Sequence, residues 1–251
     1  MKKLIWGMAL TILLPAFSIA QTPDAKEIVN RAENNSLGEK SSYCEMSMTI
    51  VRPKWERTLK MKLWTKARDK ALTLITYPAK EKGQTFLKVG SNMWNWLPSI
   101  NRMIKIPASM MSQGWMGSDY TNDDVLKESS LTNDYNHTLL GEETFGGFSC
   151  YKIEMKPKPD AAVVWGKLIT WISKGDYLML KTEYYDEDGY LVRTELASDV
   201  KEMGGRKVAA HIEIIPADKP NQKTVIVLDA IKFNIDLNDN TFSQQTMKTI
   251  K

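Results

Sequence analysis

Histidine and cysteine are almost absent from this 251-residue chain, at two residues each, and that scarcity excludes much of catalytic and metal chemistry. There is no HExxH, CxxC or P-loop pattern. "GFSCY", Gly147 to Tyr151, misses the G-x-S-x-G elbow at its last position and stands at a hairpin rather than a strand-to-helix turn. His211 shares strand parity with Glu213, opposite Ala210, Ile212 and Ile214, which aims it at solvent. His137 is the other histidine, and no nucleophile is paired with a base. A non-enzymatic protein with no metal and no cofactor is expected. "SDYTNDDV" groups Asp119, Asp123 and Asp124 but fails the D-x-[DN]-x-[DN]-G calcium spacing. Thr121 reads better as a helix N-cap, with the two later aspartates favoured in the first turn by the helix dipole.

The two cysteines do not ask to pair. Cys44 aligns with Met46, Met48 and Ile50, whereas Cys150 aligns with Lys152 and Glu154 while Tyr151, Ile153 and Met155 form the apolar face. A disulfide needs matched directions, so one buried small hydrophobe and one partly exposed thiol are expected.

Large charge of one sign and linker-like composition are also lacking. The net charge is +4, and it falls to +2 once residues 1–20 are set aside, since they carry Lys2 and Lys3 and no acid. No basic stripe with interleaved aromatics appears, so nucleic acid is not an expected partner. Without a Gly/Ser/Pro-rich linker, residues 21–251 read as one domain. The one long apolar run is Leu4 to Phe17; it follows Lys2-Lys3 and ends at Ser18-Ile19-Ala20. That is the pattern of a secretory signal peptide cleaved after Ala20, and it predicts an exported, soluble protein.

What is present is alternation. "TPDAKEIVNRAENN" predicts one amphipathic helix with Thr22 as N-cap, Pro23 at the first helical position and Asp24 in the first turn. From Ser42 the period changes to 2, with segments near 42–51, 57–66, 70–77, 84–90, 92–97, 102–106, 136–142, 148–156, 163–172, 177–184, 190–198, 206–214 and 223–233. Reversal signals stand between many of them: Arg52-Pro53, Arg68-Asp69, Gly146-Gly147, Asp188-Gly189 and Gly204-Gly205. Many short strands joined by tight turns predict a mainly β, antiparallel meander rolled into a strongly curved sheet or barrel. In "VVWGKLITWIS" Trp165, Ile169 and Trp171 share one parity and Val164, Leu168 and Ile172 the other, so both faces carry apolar side chains.

Apolar bulk concentrates in residues 91–120, "SNMWNWLPSINRMIKIPASMMSQGWMGSDY", which hold three of eight tryptophans and five of fourteen methionines despite two prolines and two glycines. Trp94 and Trp96 share a strand face that Pro98 ends, and Arg102, Ile104 and Ile106 share another that Pro107 ends. Met110, Met111, Trp115 and Met116 then fall in a loop-like segment whose Gly114 and Gly117 would permit a lid. Methionine suits a surface that repacks around varied ligands. The plainer readings are core bulk for the tryptophans, a satellite core for the loop, and a rim-seeking stem for Arg102.

"MWNWLPSINRMIKI" and "GWMGSDYTNDDVL", followed by "WISKGDYLMLKTEYYDEDGYLVRTELASDVKEMGGRKVAAHIEI", "KTVIVL" and "DNTFSQQTM", resemble the LolA-like family of outer-membrane lipoprotein-sorting proteins over roughly residues 40–250. The resemblance implies an incomplete antiparallel β-barrel of LolA/LolB type closed by helices or loops. It further implies a periplasmic carrier of acylated lipoproteins or lipids, between an inner-membrane transporter donor and an outer-membrane acceptor. On that reading Trp94, Trp96, Arg102, Ile104, Met110, Met111, Trp115 and Met116 form the apolar cavity and its cover. The alternative is a non-carrying adaptor of a lipid or hydrophobic-substrate exporter, distinguished by whether the apolar patch lies inside a cavity or outside on a flat surface.

Overall fold

The computed structural model describes residues 24–38, 40–67, 69–126, 130–161 and 163–251. The expected leader at residues 1–20, Thr22, Pro23 and Arg68 lie outside them. Helix α1 spans Ala25–Leu37, with Asp24 at the N-cap rather than inside the first turn. Its stripe of Ala25, Ile28, Val29 and Ala32 is buried against Tyr135, Ile153, Met155 and Leu168. Glu33 ties this helix down by accepting from Leu131 N (3.0 Å), Thr132 N (3.1 Å) and Thr132 Oγ1 (2.5 Å).

Thirteen strands follow: β1 Ser41–Arg52, β2 Trp55–Lys66, β3 Lys70–Tyr77, β4 Thr85–Val89, β5 Asn92–Leu97, β6 Arg102–Lys105, β7 Tyr135–Phe145, β8 Phe148–Pro157, β9 Lys167–Ser173, β10 Met179–Tyr185, β11 Leu191–Met203, β12 Arg206–Pro216 and β13 Lys223–Phe233. Each falls on an alternating segment of the sequence. The expected strand at 163–172 starts late, because Gly166 hugs the backbone of Asp186, where an added Cβ would stand 2.3 Å from its carbonyl oxygen. Trp165 therefore leaves the parity of Trp171 and packs with Tyr184, ring centroids 5.1 Å apart. Gly146-Gly147 and Gly204-Gly205 all take positive φ, as two-residue hairpin turns require.

All thirteen strands form one antiparallel sheet in the order β6-β5-β4-β3-β2-β1-β13-β12-β11-β10-β9-β8-β7. The sheet curves and remains open. The first and last strands pair at its middle, Ser42 opposite Phe233, which leaves β6 and β7 as the two edges. Directly opposed residues share a face, so the register traces one face from Met155 and Leu168 on β8 and β9, through Tyr184, Arg193 and Ile226, to Met48, Leu59 and Met61. Helix α1 covers one end of this inner face. The segment joining β6 to β7 covers the other end, burying Trp115 with Ile106, Met111 and Met116 against Met48, Ile50, Leu59 and Met61.

The opposite face is covered as well. A helical turn at Asp239–Phe242 and helix α3, Gln244–Thr249, lay Phe242 and Met247 on Leu72, Leu87 and Trp96. At the far end of this outer face Cys150, Trp171, Leu178 and Leu180 form a small cluster of their own. That cluster corrects the expectation for Cys150, which is fully buried, not partly exposed; Cys44 is buried too, and the two form no disulfide.

Candidate ligand-binding cleft beneath the crossing segment

Pro107 cannot donate to a ladder, and β6 stops just before it. The chain then makes two short helical turns, Ala108–Met110 and Trp115–Gly117, and helix α2 over Asn122–Leu126. Gly114 sits so close to the returning chain that a Cβ would meet the Ser118 carbonyl oxygen at 2.6 Å. This tight loop, closed by Trp115 N donating to Tyr120 O (2.6 Å), drives the Trp115 indole down onto Phe86, edge to face at 5.1 Å.

Two arginines on the sheet hold the segment in place. Arg52 makes a fork to Asp119, Nη1 to Oδ2 at 3.0 Å and Nη2 to Oδ1 at 3.1 Å, and also donates to Gly117 O. Thr224 Oγ1 donates to the same carboxylate at 2.7 Å. Arg193 makes the second fork, to Asp124, at 2.6 and 2.8 Å. Both side chains of that pair are almost wholly buried, 4% and 10% exposed. Asp124 also accepts from Thr121 N and Oγ1, while Thr121 Oγ1 accepts from Asp124 N. Thr121 is thus the N-cap the sequence predicts, in a reciprocal capping arrangement, and one of the two later aspartates doubles as an anchor. Among the described residues no acidic or histidine cluster could hold a metal ion.

The Arg193 guanidinium lies over Tyr184 (4.1 Å), Trp165 (4.7 Å) and Tyr120 (5.5 Å). Burial opposes its charge, but Asp124 outweighs burial and holds its pKa above the ordinary arginine value. Tyr120 and Tyr184 are pushed well above 10, first by burial and then by Glu195. Both phenols therefore stay protonated and donate to Glu195 Oε2, at 3.3 and 3.2 Å.

Between the segment and the sheet is a cleft of about 320 Å³, at the lower end of the range for small-ligand pockets; it is lined by Arg57, Gln84, Phe86, Asn95, Ile106, Met110, Gln113, Gly114, Trp115, Met116 and Asn122. Arg57 donates to the Met116 carbonyl and pairs with Glu81 at 3.4 Å. Of the residues singled out in the sequence, Met110, Trp115 and Met116 come together at this cleft. Met111 packs with Trp115 and Met116 in one apolar cluster.

Trp94 and Trp96 do not join them. They point to the outer face, Trp96 in the cluster beneath α3 and Trp94 packed against it, while Met93 takes the inner side with Phe86. Ile104 shares the inner face through its partner Asn95, and Arg102 is exposed on the edge strand. Arg57, Gln84, Phe86 and Asn95 were not singled out beforehand. They come from three separate strands and a loop, and their one local signal is that Phe86 and Asn95 are opposed in register.

Residues 67–249 match a family model described as "Uncharacterized protein". None of the curated proteins matches the chain. Among solved structures, a DUF1329 family protein from Desulfovibrio piger superposes with a TM-score of 0.79 at 24% identity, over 89% of this chain and 97% of that one. A domain assigned to outer membrane lipoprotein sorting from Vibrio parahaemolyticus gives 0.77 at 23% identity, over 89% and 98%. A LolA superfamily protein from Nitrosomonas europaea gives 0.76 at 22% identity, over 90% and 100%.

Proposed function

Since the chain belongs to the family whose model spans residues 67–249 and has the fold of the LolA-like lipoprotein-sorting proteins, we propose that it is an exported, non-enzymatic carrier. It shields the acyl chains of lipoproteins or lipids between the inner and outer membranes. The observation that carries this reading is the crossing segment. Its apolar side chains Met110, Trp115 and Met116 line one wall of a cleft whose opposite wall is the inner sheet face. Burying a chain there would contribute about 0.8 kcal/mol per methylene. In the closed arrangement the cleft is small, so a long chain enters by displacing the segment and occupying the apolar surface of Met48, Leu59, Met61 and Phe86 that the segment now covers. Cargo and cover then compete for one surface, which keeps affinity modest and handover feasible.

Native mass spectrometry of the gently purified protein, with organic extraction of what it holds, tests this. A stoichiometric acylated species is expected, and Met110→Ala, Met111→Ala and Met116→Ala together should weaken its retention without unfolding the sheet. A protein that stays empty after incubation with lipids and lipoproteins would instead be a docking adaptor.

A further inference from the structure

Among the described residues, five of the six exposed large apolar side chains, Trp55, Tyr77, Ile100, Tyr190 and Leu191, stand at one end of the sheet. They lie at or beside the β1–β2, β3–β4, β5–β6 and β10–β11 reversals. Such side chains scattered singly mean little, but Trp55, Tyr77 and Ile100 stand on successive reversals. Successive reversals are two strands, about 10 Å, apart. The gaps are bridged: Arg57, two residues from Trp55, pairs with Glu81 in the β3–β4 loop, and Gly83 of that loop packs beside Pro98, which leads to Ile100.

The charge of this patch is predominantly positive. Lys54, Lys80, Lys82 and Arg102 are exposed, and none forms an ion pair among the described residues. Of the acids here, Glu81 is engaged by Arg57, which leaves Glu56. A further cleft of about 360 Å³ opens between the β3–β4 loop and Pro98-Ser99, with Lys80 and Lys82 on its wall. The β10–β11 reversal at the same end is the opposite in character, with Asp186, Glu187 and Asp188 beside Tyr190.

We propose that the three reversals bearing Trp55, Tyr77 and Ile100, with Lys54, Lys80, Lys82 and Arg102, dock this protein onto a bilayer surface rich in anionic phospholipid. Aromatic and aliphatic side chains enter the interface and lysines meet phosphate, each cation adding to the attraction. The polar cleft beside Lys80 and Lys82 takes a headgroup. Gln84 lines this cleft and also the one beneath the crossing segment, so the two clefts are neighbours. The proposal does not depend on the carrier reading.

The test is cosedimentation of the protein with vesicles of phosphatidylcholine alone and of an equal mixture with phosphatidylglycerol. Binding to the mixed vesicles is expected, weakened by salt. Lys80→Gln with Lys82→Gln should lower it by roughly tenfold or more, and Trp55→Ser with Ile100→Ser should also reduce it, with thermal midpoints unchanged because these side chains are exposed. The triple methionine variant should bind vesicles like the parent even where it loses cargo, which separates failure of this proposal from failure of the carrier reading. Equal binding to neutral vesicles, or equal binding by the rim variants, overturns the proposal. Absence of binding to both vesicles overturns it too, and leaves the rim to a protein partner.

Discussion

Trp94 and Trp96, expected to line the cavity, stand on the opposite face of the sheet. Alternation says that they share a face, and they do, but it does not say which face is inner. Met93 and Asn95 took the inner side, and the bulkier pair went outward beneath α3. Trp96 is 7% exposed, packed with Leu72, Leu87 and Phe242. Trp96→Ala is therefore expected to cost about 3–5 kcal/mol, read as a fall in the urea midpoint, while uptake of ligand per folded molecule is unchanged. Loss of uptake at full stability would return this tryptophan to the site. Trp115 was legible for the opposite reason: flanked by glycines in a non-repeating stretch, it had no strand to assign it to the far face. Arg193 carried no local signal, since its partner Asp124 lies 69 residues away in sequence.

At the scale of elements, all thirteen strands were legible, with bounds that miss by up to five residues at β7, β9 and β11, because period 2 and reversal chemistry are local. The crossing segment was legible as a cover and not as an anchored one. Its hold on the sheet is two forked ion pairs, Arg52–Asp119 and Arg193–Asp124. Removing one partner of a buried pair leaves an uncompensated charge, at about 3–5 kcal/mol. Arg193→Met should therefore raise amide exchange across residues 106–126 well before the strands exchange, because the loss falls on the segment and not on the ladder. Gly114→Ala acts on the same element differently. Its methyl group meets backbone, not a flexible side-chain end, so the loop must open and Trp115 withdraw, seen as a red-shifted tryptophan emission. Unchanged exchange in Arg193→Met would mean that Arg52–Asp119 and apolar packing hold the cover without the second fork.

At the scale of the whole molecule, the sheet is a middle layer covered on both faces, and its two covers come from different parts of the chain. The crossing segment and α1 lie on the inner face; Asp239–Phe242 and α3 lie on the outer. The outer cover is fixed by Lys66 and Lys70 on Asp239, at 3.0 and 3.1 Å, and by Thr85 Oγ1 donating to Met247 O at 3.0 Å. The exposed ion pairs add little, so the apolar contacts carry the cover. Burying Phe242 and Met247 contributes about 1.5–3 kcal/mol each, together a large share of the roughly 5–15 kcal/mol that holds a domain folded. Deleting residues 238–251 should lower the urea midpoint sharply and open the outer face to a hydrophobic dye, since Leu72, Leu87 and Trp96 lose their cover. The Arg–Asp forks stand on the other side of the sheet, so at low denaturant residues 106–126 should remain as protected as in the intact protein. If those amides instead exchange freely once the C-terminal helix is gone, the two faces are coupled through the strands, and release of cargo beneath the inner cover could be driven from the outer surface.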